Sequence, residues 1–388
     1  MSNLFPTYAR WEVEPESADG TRIIDKQGRE YLDFSSGIGV CNLGHRPKIV
    51  EEAVLEQINK LWHVSNLFES GNQEKAAQML ATAAGMERVF FANSGAEANE
   101  AAIKLARKAT GKTKIITFHN SFHGRTFAAM SATGQDKIKL GFGPMLETFI
   151  NVSYNDIESL KNQMGDDVAA VMIEIIQGEG GIHVGNQKFL QGVQELCKQY
   201  GALLVIDEIQ TGIGRTGKPF AFQHFDLDPD IVTSAKGLGS GFPIGAVIGK
   251  EALVKHFGPG SHGSTFGGNP VSIAAAIATM NSIFTEELLT EVAEKSNLLL
   301  NQLQNKLAGI SIIKEIRGLG LMIGIECTLP VTDLISKLRA KGLIVLPAGE
   351  KVIRLLPPLN ISQEDLDKGI QFFTEVVIEL DTKTTVKA

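Results

Sequence analysis

The sequence predicts an α/β protein whose central sheet is mostly parallel and covered by helices on both faces. The first observation is a set of short apolar runs that we interpret as strands, at residues 89–92, 114–118, 169–175, 203–206, 231–234 and 246–248. The second is that segments with helical spacing of apolar residues lie between them. Continuous apolar strands separated by helices are typical of parallel sheets buried on both sides. Such sheets bind ligands at the carboxyl ends of their strands, so a site is expected there.

The N-terminal residues predict an irregular arm followed by a hairpin. Its strands, 21–25 and 30–34, flank a turn that contains Gly28. A flexible loop is expected at 36–40, and Pro47 is placed to open a helix. Further helices are predicted at 72–84, 96–109, 157–163, 187–200, 271–284 and 288–307.

The C-terminal part predicts a smaller α+β domain. Its strands are expected at 312–317, 321–326, 343–347 and 352–355, and its helices at 331–341 and 363–380. The polar residues after Asp381 are expected to fray. We therefore divide the 388 residues into an N-terminal segment (1–60), a large domain (61–280) and a small C-terminal domain (281–388).

Composition narrows the range of partners and compartments. The net charge of −7 argues against nucleic acid or an anionic membrane as the main partner. Cys41, Cys197 and Cys327 are too far apart for a CxxC metal site, and their odd number does not fit a disulfide framework. Neither a signal peptide nor an apolar run long enough to span a membrane is recognisable. We expect a cytoplasmic protein without a metal site.

Lys236 is the strongest candidate for a catalytic residue. It follows the strand at 231–234 and precedes a string of glycines, which let a ligand approach the backbone closely. A lysine buried at a strand end has a lowered pKa and attacks a carbonyl group to form a Schiff base. The alternative is an ordinary solvated lysine at the start of a surface loop, which is what most lysines are.

Three more clusters of polar residues follow strands. Ser94 and Gly95 open a helix whose free N–H groups would bind a phosphate, although a serine there is equally typical of a plain helix cap. Asp207 ends a buried strand, where it would pair with a protonated heterocycle or cap the next loop. Phe122 is suited to stack on a flat ring and Arg125 to bind a carboxylate, unless both belong to a polar surface loop.

A competing motif points to a different class of enzyme. Residues 212–217 match GxGxxG after a strand, the pattern of a dinucleotide site in an NAD-dependent oxidoreductase. That pattern requires a helix to open at its end, but Pro219, Phe220 and Phe222 follow instead. We therefore rank this function far below the one that Lys236 suggests.

Taken together, the clusters resemble the class III aminotransferases, which are fold-type I enzymes that depend on pyridoxal 5′-phosphate (PLP). The resemblance covers nearly the whole chain, and its landmarks occur in order at 93–98, 121–125, 175–181, 206–210, 234–237 and 264–270. Within that class it is greatest to members that act on N2-acetylornithine, on the segments 63–68 and 354–359.

The resemblance implies a role for each cofactor residue. Lys236 would form the Schiff base with PLP and move the proton, and Asp207 would keep the pyridine nitrogen protonated so that the ring acts as an electron sink. Gln210 would hydrogen-bond the ring hydroxyl group, and Phe122 would stack on the ring. The phosphate would be bound by Ser94, Gly95 and Ala96, and by Thr265 from the other subunit of a homodimer.

The substrates implied are N2-acetylornithine and 2-oxoglutarate, with Ser264 as a further binding residue. Arg354 would hold the α-carboxylate of glutamate and Arg125 the distal one. Glu179 would pair with Arg354 and mask it while an ω-amino donor is bound. Ornithine, succinylornithine and 4-aminobutyrate stay open as donors, and an aminomutase or racemase reaction would use the same cofactor residues.

Overall fold

The computed structural model describes residues 2–385. Its strands are β1 (Pro15–Asp19), β2 (Arg22–Asp25), β3 (Glu30–Asp33), β4 (Arg88–Ala92), β5 (Lys114–Phe118), β6 (Phe149–Val152), β7 (Val168–Glu174), β8 (Ile176–Gln177), β9 (His183–Val184), β10 (Leu203–Asp207), β11 (Ile231–Ser234), β12 (Gly245–Gly249), β13 (Ile313–Gly318), β14 (Ile323–Cys327), β15 (Leu343–Ile344), β16 (Leu346–Pro347) and β17 (Val352–Leu355). Its helices are α1 (Ser36–Gly39), α2 (Lys48–Ile58), α3 (Gly71–Ala84), α4 (Gly95–Thr110), α5 (Phe127–Ala132), α6 (Ile157–Lys161), α7 (Gln187–Tyr200), α8 (Pro270–Ile283), α9 (Glu286–Lys306), α10 (Thr332–Lys341) and α11 (Gln363–Thr385).

The central sheet has seven strands in the order β4-β12-β11-β10-β7-β5-β6. The pairs β11–β10, β10–β7, β7–β5 and β5–β6 are parallel, whereas β12 runs antiparallel to both β11 and β4. The predicted α/β class and mostly parallel sheet are therefore confirmed. The carboxyl ends of β4, β5, β7, β10 and β11 consequently share one edge of the sheet, because β12 alone is reversed.

Helices cover both faces of this sheet, as the alternation of its side chains shows. Val205 belongs to a core that it forms with residues of α4, whereas its neighbours Leu204 and Ile206 belong to the core that contains α7. Successive side chains of a strand point to opposite faces, so the two cores lie on opposite sides of the sheet. All seven residues of β7 are buried, as expected for a strand enclosed from both sides.

Two smaller sheets bring the ends of the chain together. β13, β14, β17 and β16 form one antiparallel sheet, and β1, β2 and β3 form another, which β15 joins in parallel through its pairing with β3. The single strand predicted at 343–347 is thus two short strands in two different sheets. The domain boundaries at 60 and 280 stay a prediction.

Several elements differ from their prediction for local reasons. Neither β1 nor β6 was predicted: β1 has few apolar residues, whereas β6 is apolar but only four residues long. The loop expected at 36–40 is a helical turn with Gly37 and Ile38 at positive φ, and Ser35 caps it. The chain was expected to fray after Asp381, but α11 continues to Thr385. Residues 386–388 lie outside the described part. No helix among residues 2–385 is long and apolar enough to cross a membrane.

Candidate active site

A cavity of about 440 Å³ opens at the shared carboxyl edge of the central sheet. It brings together nine of the twelve predicted site residues, which come from five different strand ends. Those in its wall are Ser94, Gly95, Ala96, Phe122, Arg125, Glu179, Asp207, Gln210 and Lys236. Of the other three, Arg354 contacts two of these residues, and Ser264 and Thr265 line a different cavity.

Asp207, the last residue of β10, is held by three hydrogen bonds. Its Oδ2 accepts one from Asn99 Nδ2 at 2.8 Å and lies 2.7 Å from His123 Nδ1, and its Oδ1 accepts one from the backbone N–H of Ile209 at 3.1 Å. The carboxyl group is 4% exposed. These hydrogen bonds satisfy the buried carboxyl group and hold it in one orientation.

Sequence reasoning missed His123 and Asn99 as part of this network. His123 is fully buried, which alone would lower its pKa, but its contact with Asp207 reverses this and the pKa is raised. Asn99, on α4, fixes both partners, since its Nδ2 also donates to the carbonyl oxygen of His123 at 2.7 Å and its Oδ1 accepts from Thr233 Oγ1 at 2.8 Å. His123 Nε2 has no hydrogen-bond partner among the described residues.

Glu208, the residue after Asp207, has the loop-capping role that was the alternative for Asp207. It accepts hydrogen bonds from the hydroxyl group of Thr211 and, at 2.7 Å, from the backbone N–H of Phe222, and so holds the loop after β10. It does not line the cavity. Burial raises the pKa of Glu208 to about 7 from its usual 4.5.

This raised pKa predicts how Glu208 affects stability. Between pH 4.5 and about 7 the folded protein keeps a proton that the unfolded chain releases, so the free energy of unfolding falls as pH rises through this range. The fall attributable to Glu208 is at most about 3 kcal/mol. We expect Glu208→Gln to flatten the decrease between pH 5.5 and 7.5, measured by urea unfolding. Glu195→Gln, at an exposed acid on α7, is the control; a pH dependence that Glu208→Gln leaves unchanged would contradict the assignment.

Lys236 lies two residues beyond β11 in a strained backbone. Its φ is +43°, which residues with a Cβ rarely adopt. Burial lowers the pKa of Lys236 and Arg354 adds to this, while Glu179, Asp207 and Glu174 oppose it; the net pKa is lowered. Among residues 2–385, no hydrogen bond or ion pair engages Lys236 Nζ, so the amine faces the cavity ready to react.

The start of α4 forms the second wall of the cavity. Ser94 caps the helix by accepting a hydrogen bond from the N–H of Glu97 at 3.2 Å. A Cβ on Gly95 would lie 2.7 Å from Ile209 Cδ1, so this position needs glycine for the close approach of the loop after β10. Within the described chain the N–H groups of Gly95 and Ala96 donate to no other residue. They and the positive end of the helix dipole form an anion site on the cavity.

Arg354 on β17 reaches the opposite side of the cavity. Its Nη1 lies 2.5 Å from Glu179 Oε1 and donates to Gln210 Oε1 at 2.8 Å and to the carbonyl oxygen of Gly178 at 3.0 Å. Its side chain is 2% exposed, and its Nε has no partner in the described part of the molecule. Although burial opposes ionisation of Glu179, Arg354 and Lys236 hold the pKa of that carboxyl below its usual value.

Phe122 and Arg125 lie on the loop between β5 and α5. The guanidinium group of Arg125 lies over the Phe122 ring at 5.8 Å, and its side chain is exposed at the cavity mouth. Ser264 accepts a hydrogen bond from Asn93 Nδ2 at 3.0 Å, next to the start of α4. Thr265 is exposed in a separate cavity that it shares with His63 and its neighbours.

The GxGxxG segment at 212–217 has a structural role. No helix begins at its end; the next element is a short 3₁₀ turn, Ala221–His224. Arg215 within it is fully buried and donates to the carbonyl oxygens of Leu321 and Pro357 and to Asn42 Oδ1. The segment therefore joins the central sheet to the C-terminal part and has no dinucleotide-binding geometry.

Comparison with known proteins agrees with this geometry. The family described as aminotransferase class-III matches residues 7–377. The chain belongs to the class III aminotransferases. It is 56% identical to the acetylornithine aminotransferase of Bacillus subtilis (strain 168), over 97% of this chain and 98% of that protein. It is 57% identical to the acetylornithine aminotransferase of Halalkalibacterium halodurans, again over 97% and 98%.

Solved structures of class III aminotransferases have the same fold. The ornithine aminotransferase of Toxoplasma gondii ME49 superposes with a TM-score of 0.94 at 32% identity, over 98% of this chain and 94% of that one. The N-acetylornithine aminotransferase of Stenotrophomonas maltophilia K279a has a TM-score of 0.85 at 37% identity, over 97% and 98%. One structure of the Toxoplasma enzyme has PLP at partial occupancy in its active site.

Enzymes of this class depend on PLP, and the cavity has the groups to fit it. The free N–H groups at the start of α4 suit a phosphate, the buried Asp207 suits a protonated ring nitrogen, and the unengaged amine of Lys236 suits an aldehyde carbon. The three lie in the wall of one cavity. The predicted family, fold and cofactor are confirmed.

Proposed function

We propose that this enzyme transfers the ω-amino group of N2-acetylornithine to 2-oxoglutarate, giving N-acetylglutamate 5-semialdehyde and glutamate, a step of arginine biosynthesis. The observation that carries the proposal is the identity of 56–57% to acetylornithine aminotransferases over almost the full length of both chains. The backbone also superposes on an ornithine aminotransferase with a TM-score of 0.94, but at only 32% identity. Because donor choice depends on side chains, sequence identity is the better guide here.

The residues of the cavity wall would hold the cofactor and move the proton. PLP, when bound, supplies an electron sink that acidifies the carbon bearing the amino group. The N–H groups of Gly95 and Ala96, with Ser94, bind the phosphate. Asp207 would pair with the ring nitrogen, Gln210 would hydrogen-bond the ring hydroxyl group and Phe122 would stack on the ring.

Lys236 Nζ acts as the base that removes a proton from the donor carbon and as the acid that returns it. The pKa of Lys236 is lowered by burial, which favours the neutral amine, the form that a base requires. The strained backbone at φ +43° sets the direction in which the Lys236 side chain leaves the main chain, and so places its amine at the cavity.

The ion pair of Arg354 with Glu179 supports a way to handle two different substrates in one site. In the geometry present, Glu179 covers the Arg354 guanidinium at 2.5 Å, so the α-carboxylate of an acetylated donor has no free arginine to bind. When glutamate binds, Glu179 moves aside and Arg354 receives its α-carboxylate in bidentate fashion. The exposed Arg125 then holds the distal carboxylate.

We further infer that the enzyme works in the cytoplasm as a homodimer with shared active sites. Thr265 and Ser264 line a cavity other than the main one of their own chain, together with Leu67, and further exposed apolar residues are next to its lining residues in the sequence. Trp62, Leu67, Phe68 and Phe266 are 59–92% exposed. Such a cluster is typical of a surface that another subunit covers, and Thr265 would then reach the phosphate of the partner's site.

The test is the visible absorption of the PLP-loaded protein on adding N-acetylornithine, ornithine or 4-aminobutyrate separately. We expect N-acetylornithine to change the cofactor spectrum fastest and to yield glutamate only when 2-oxoglutarate is present. Faster conversion of another amine would contradict the proposed donor. Product formed without 2-oxoglutarate would indicate an aminomutase or racemase instead.

Glu179→Ala should change donor preference rather than abolish activity. Without Glu179 the Arg354 guanidinium is uncovered, so the ratio of kcat/KM for glutamate to kcat/KM for N-acetylornithine should rise by at least about tenfold, the value of one charge-assisted hydrogen bond. Steady-state kinetics with each donor measures this ratio. A ratio equal to that of the unmodified enzyme would show that Glu179 does not mask Arg354.

A further inference from the structure

Glu174 is a buried acid in the active-site cavity that none of the roles above uses. It is the last residue of β7 and lies beside Asp207, its register partner on β10. It is 8% exposed and contributes to the cavity wall. Burying a carboxyl group costs free energy unless it is hydrogen-bonded. The groups that donate hydrogen bonds to Glu174 therefore indicate its role.

Both oxygens of Glu174 accept backbone hydrogen bonds from loops that face the substrate. Oε2 accepts from the N–H of Phe122 at 3.1 Å, and Oε1 from the N–H of Gly178 at a longer 3.4 Å. Phe122 is the residue placed to cover the cofactor ring. Gly178 immediately precedes Glu179, and its carbonyl oxygen accepts from Arg354 at 3.0 Å.

The backbone that carries the Glu174 side chain is also held in place. The hydroxyl group of Tyr154 donates to the carbonyl oxygens of Glu174 and Ile175 at 2.9 and 2.8 Å and anchors the end of β7. The two loops also contact each other, since Gln177 Nε2 donates to the carbonyl oxygen of His119 at 2.8 Å. Glu174 thus bridges two neighbouring loops from a rigid strand end.

We propose that Glu174 is a positioning residue that ties the loop of Phe122 to the loop of Glu179, and that it thereby keeps Glu179 on Arg354 and sets the preference between the two amino donors. This rests on the proposed function of the Arg354–Glu179 pair. Loss of the hydrogen bonds of Glu174 to the two loops should let Glu179 leave Arg354 part of the time. The preference should then shift toward glutamate, in the same direction as in Glu179→Ala but less far.

The variants are chosen by how many of the two hydrogen bonds they keep. Burial raises the pKa of Glu174, and the field of His123 opposes this. Glu174→Gln keeps the size of the side chain, but its single carbonyl oxygen can accept only one of the two N–H groups. Glu174→Ala removes both bonds. Glu195→Gln, at an exposed acid on α7 that does not line the cavity, is the control.

The first measurement is hydrogen–deuterium exchange of the PLP-loaded enzyme, read over residues 119–125 and 176–182. We expect Glu174→Ala to speed exchange about fivefold to tenfold in both segments and Glu174→Gln in one of them, as one lost hydrogen bond predicts. Glu195→Gln should leave this exchange unchanged. Unchanged exchange in 176–182 for Glu174→Ala would overturn the proposal.

The second measurement is the ratio of kcat/KM for glutamate to that for N-acetylornithine. It should rise about threefold to tenfold in Glu174→Ala and less in Glu174→Gln, whereas a purely structural role would lower both values together. An unchanged ratio would also overturn the proposal. The exchange experiment needs no donor, so it tests Glu174 even if the unmodified enzyme fails to use N-acetylornithine, a result that would refute the proposed function alone.

Discussion

Lys236→Ala is expected to abolish transamination while the fold is retained. The Lys236 amine lies in the cavity wall and makes no hydrogen bond or ion pair with the described residues. Its pKa is lowered, and a neutral amine can attack a carbonyl carbon. Removing it takes away both the covalent attachment of the cofactor and the base that moves the proton. The loss should be at least about 10²- to 10⁴-fold in kcat, the range of a positioned general acid–base group alone.

The measurement combines turnover of N-acetylornithine with the absorption spectrum after PLP is added. We expect the variant to bind PLP through the start of α4 and Asp207 but to show the spectrum of a free aldehyde. Lys250→Ala is a matched control, since Lys250 also follows a strand but pairs with Asp228 and Asp230 away from the cavity. Activity within a few fold of the unmodified enzyme in Lys236→Ala would remove the basis of the proposed mechanism.

The position of Lys236 could be predicted because the signals that place it are local. A β-branched strand, a lysine and a string of glycines follow each other directly. The same holds for Ser94 and Asp207, each at or just after a strand. The parallel arrangement of the sheet then gathers them, since the carboxyl ends of parallel strands share one edge. Local patterns thus predicted both the fold class and the core of the site.

The groups that sequence reasoning missed depend on contacts between distant residues. Asn99 is 108 positions from Asp207, to which it donates, and an asparagine inside a helix gives no local sign of such a partner. Glu174 ends an apolar run whose boundary was set one residue too far, at Ile175, so the acid seemed to lie within the strand. His123 lies within the landmark segment 121–125, but nothing near it in the sequence indicates the contact with Asp207.

The reversed strand β12 illustrates the same limit at the level of the fold. Its sequence, Gly245–Gly249, is a short apolar run like those of the parallel strands. Its direction follows from the short connection that leaves β11 through Lys236 and the glycines, and such a connection is too short for a crossover helix. The turn that returns the chain is therefore also the segment that holds Lys236 at the edge of the cavity.

Asp207→Asn should reduce turnover while leaving the cavity intact. The asparagine keeps the shape and can still accept from Ile209 N–H, but it removes the negative charge that His123 and a protonated ring nitrogen face. We expect kcat to fall at least about tenfold to hundredfold, the value of a hydrogen bond to a charged group. Because an uncharged ring nitrogen withdraws electrons poorly, the loss should appear in kcat more than in KM.

Glu208→Gln provides the matched control for this prediction. Glu208 is the next residue and equally buried, but it holds the loop through Thr211 and Phe222 and does not line the cavity. Its replacement should alter the pH dependence of stability and leave kcat near that of the unmodified enzyme. If the two variants lost activity equally, the loss would come from the disturbed strand end. If only Asp207→Asn loses activity, the charge of Asp207 in the cavity is what the reaction requires, because the two substitutions remove a buried carboxyl group from the same strand end.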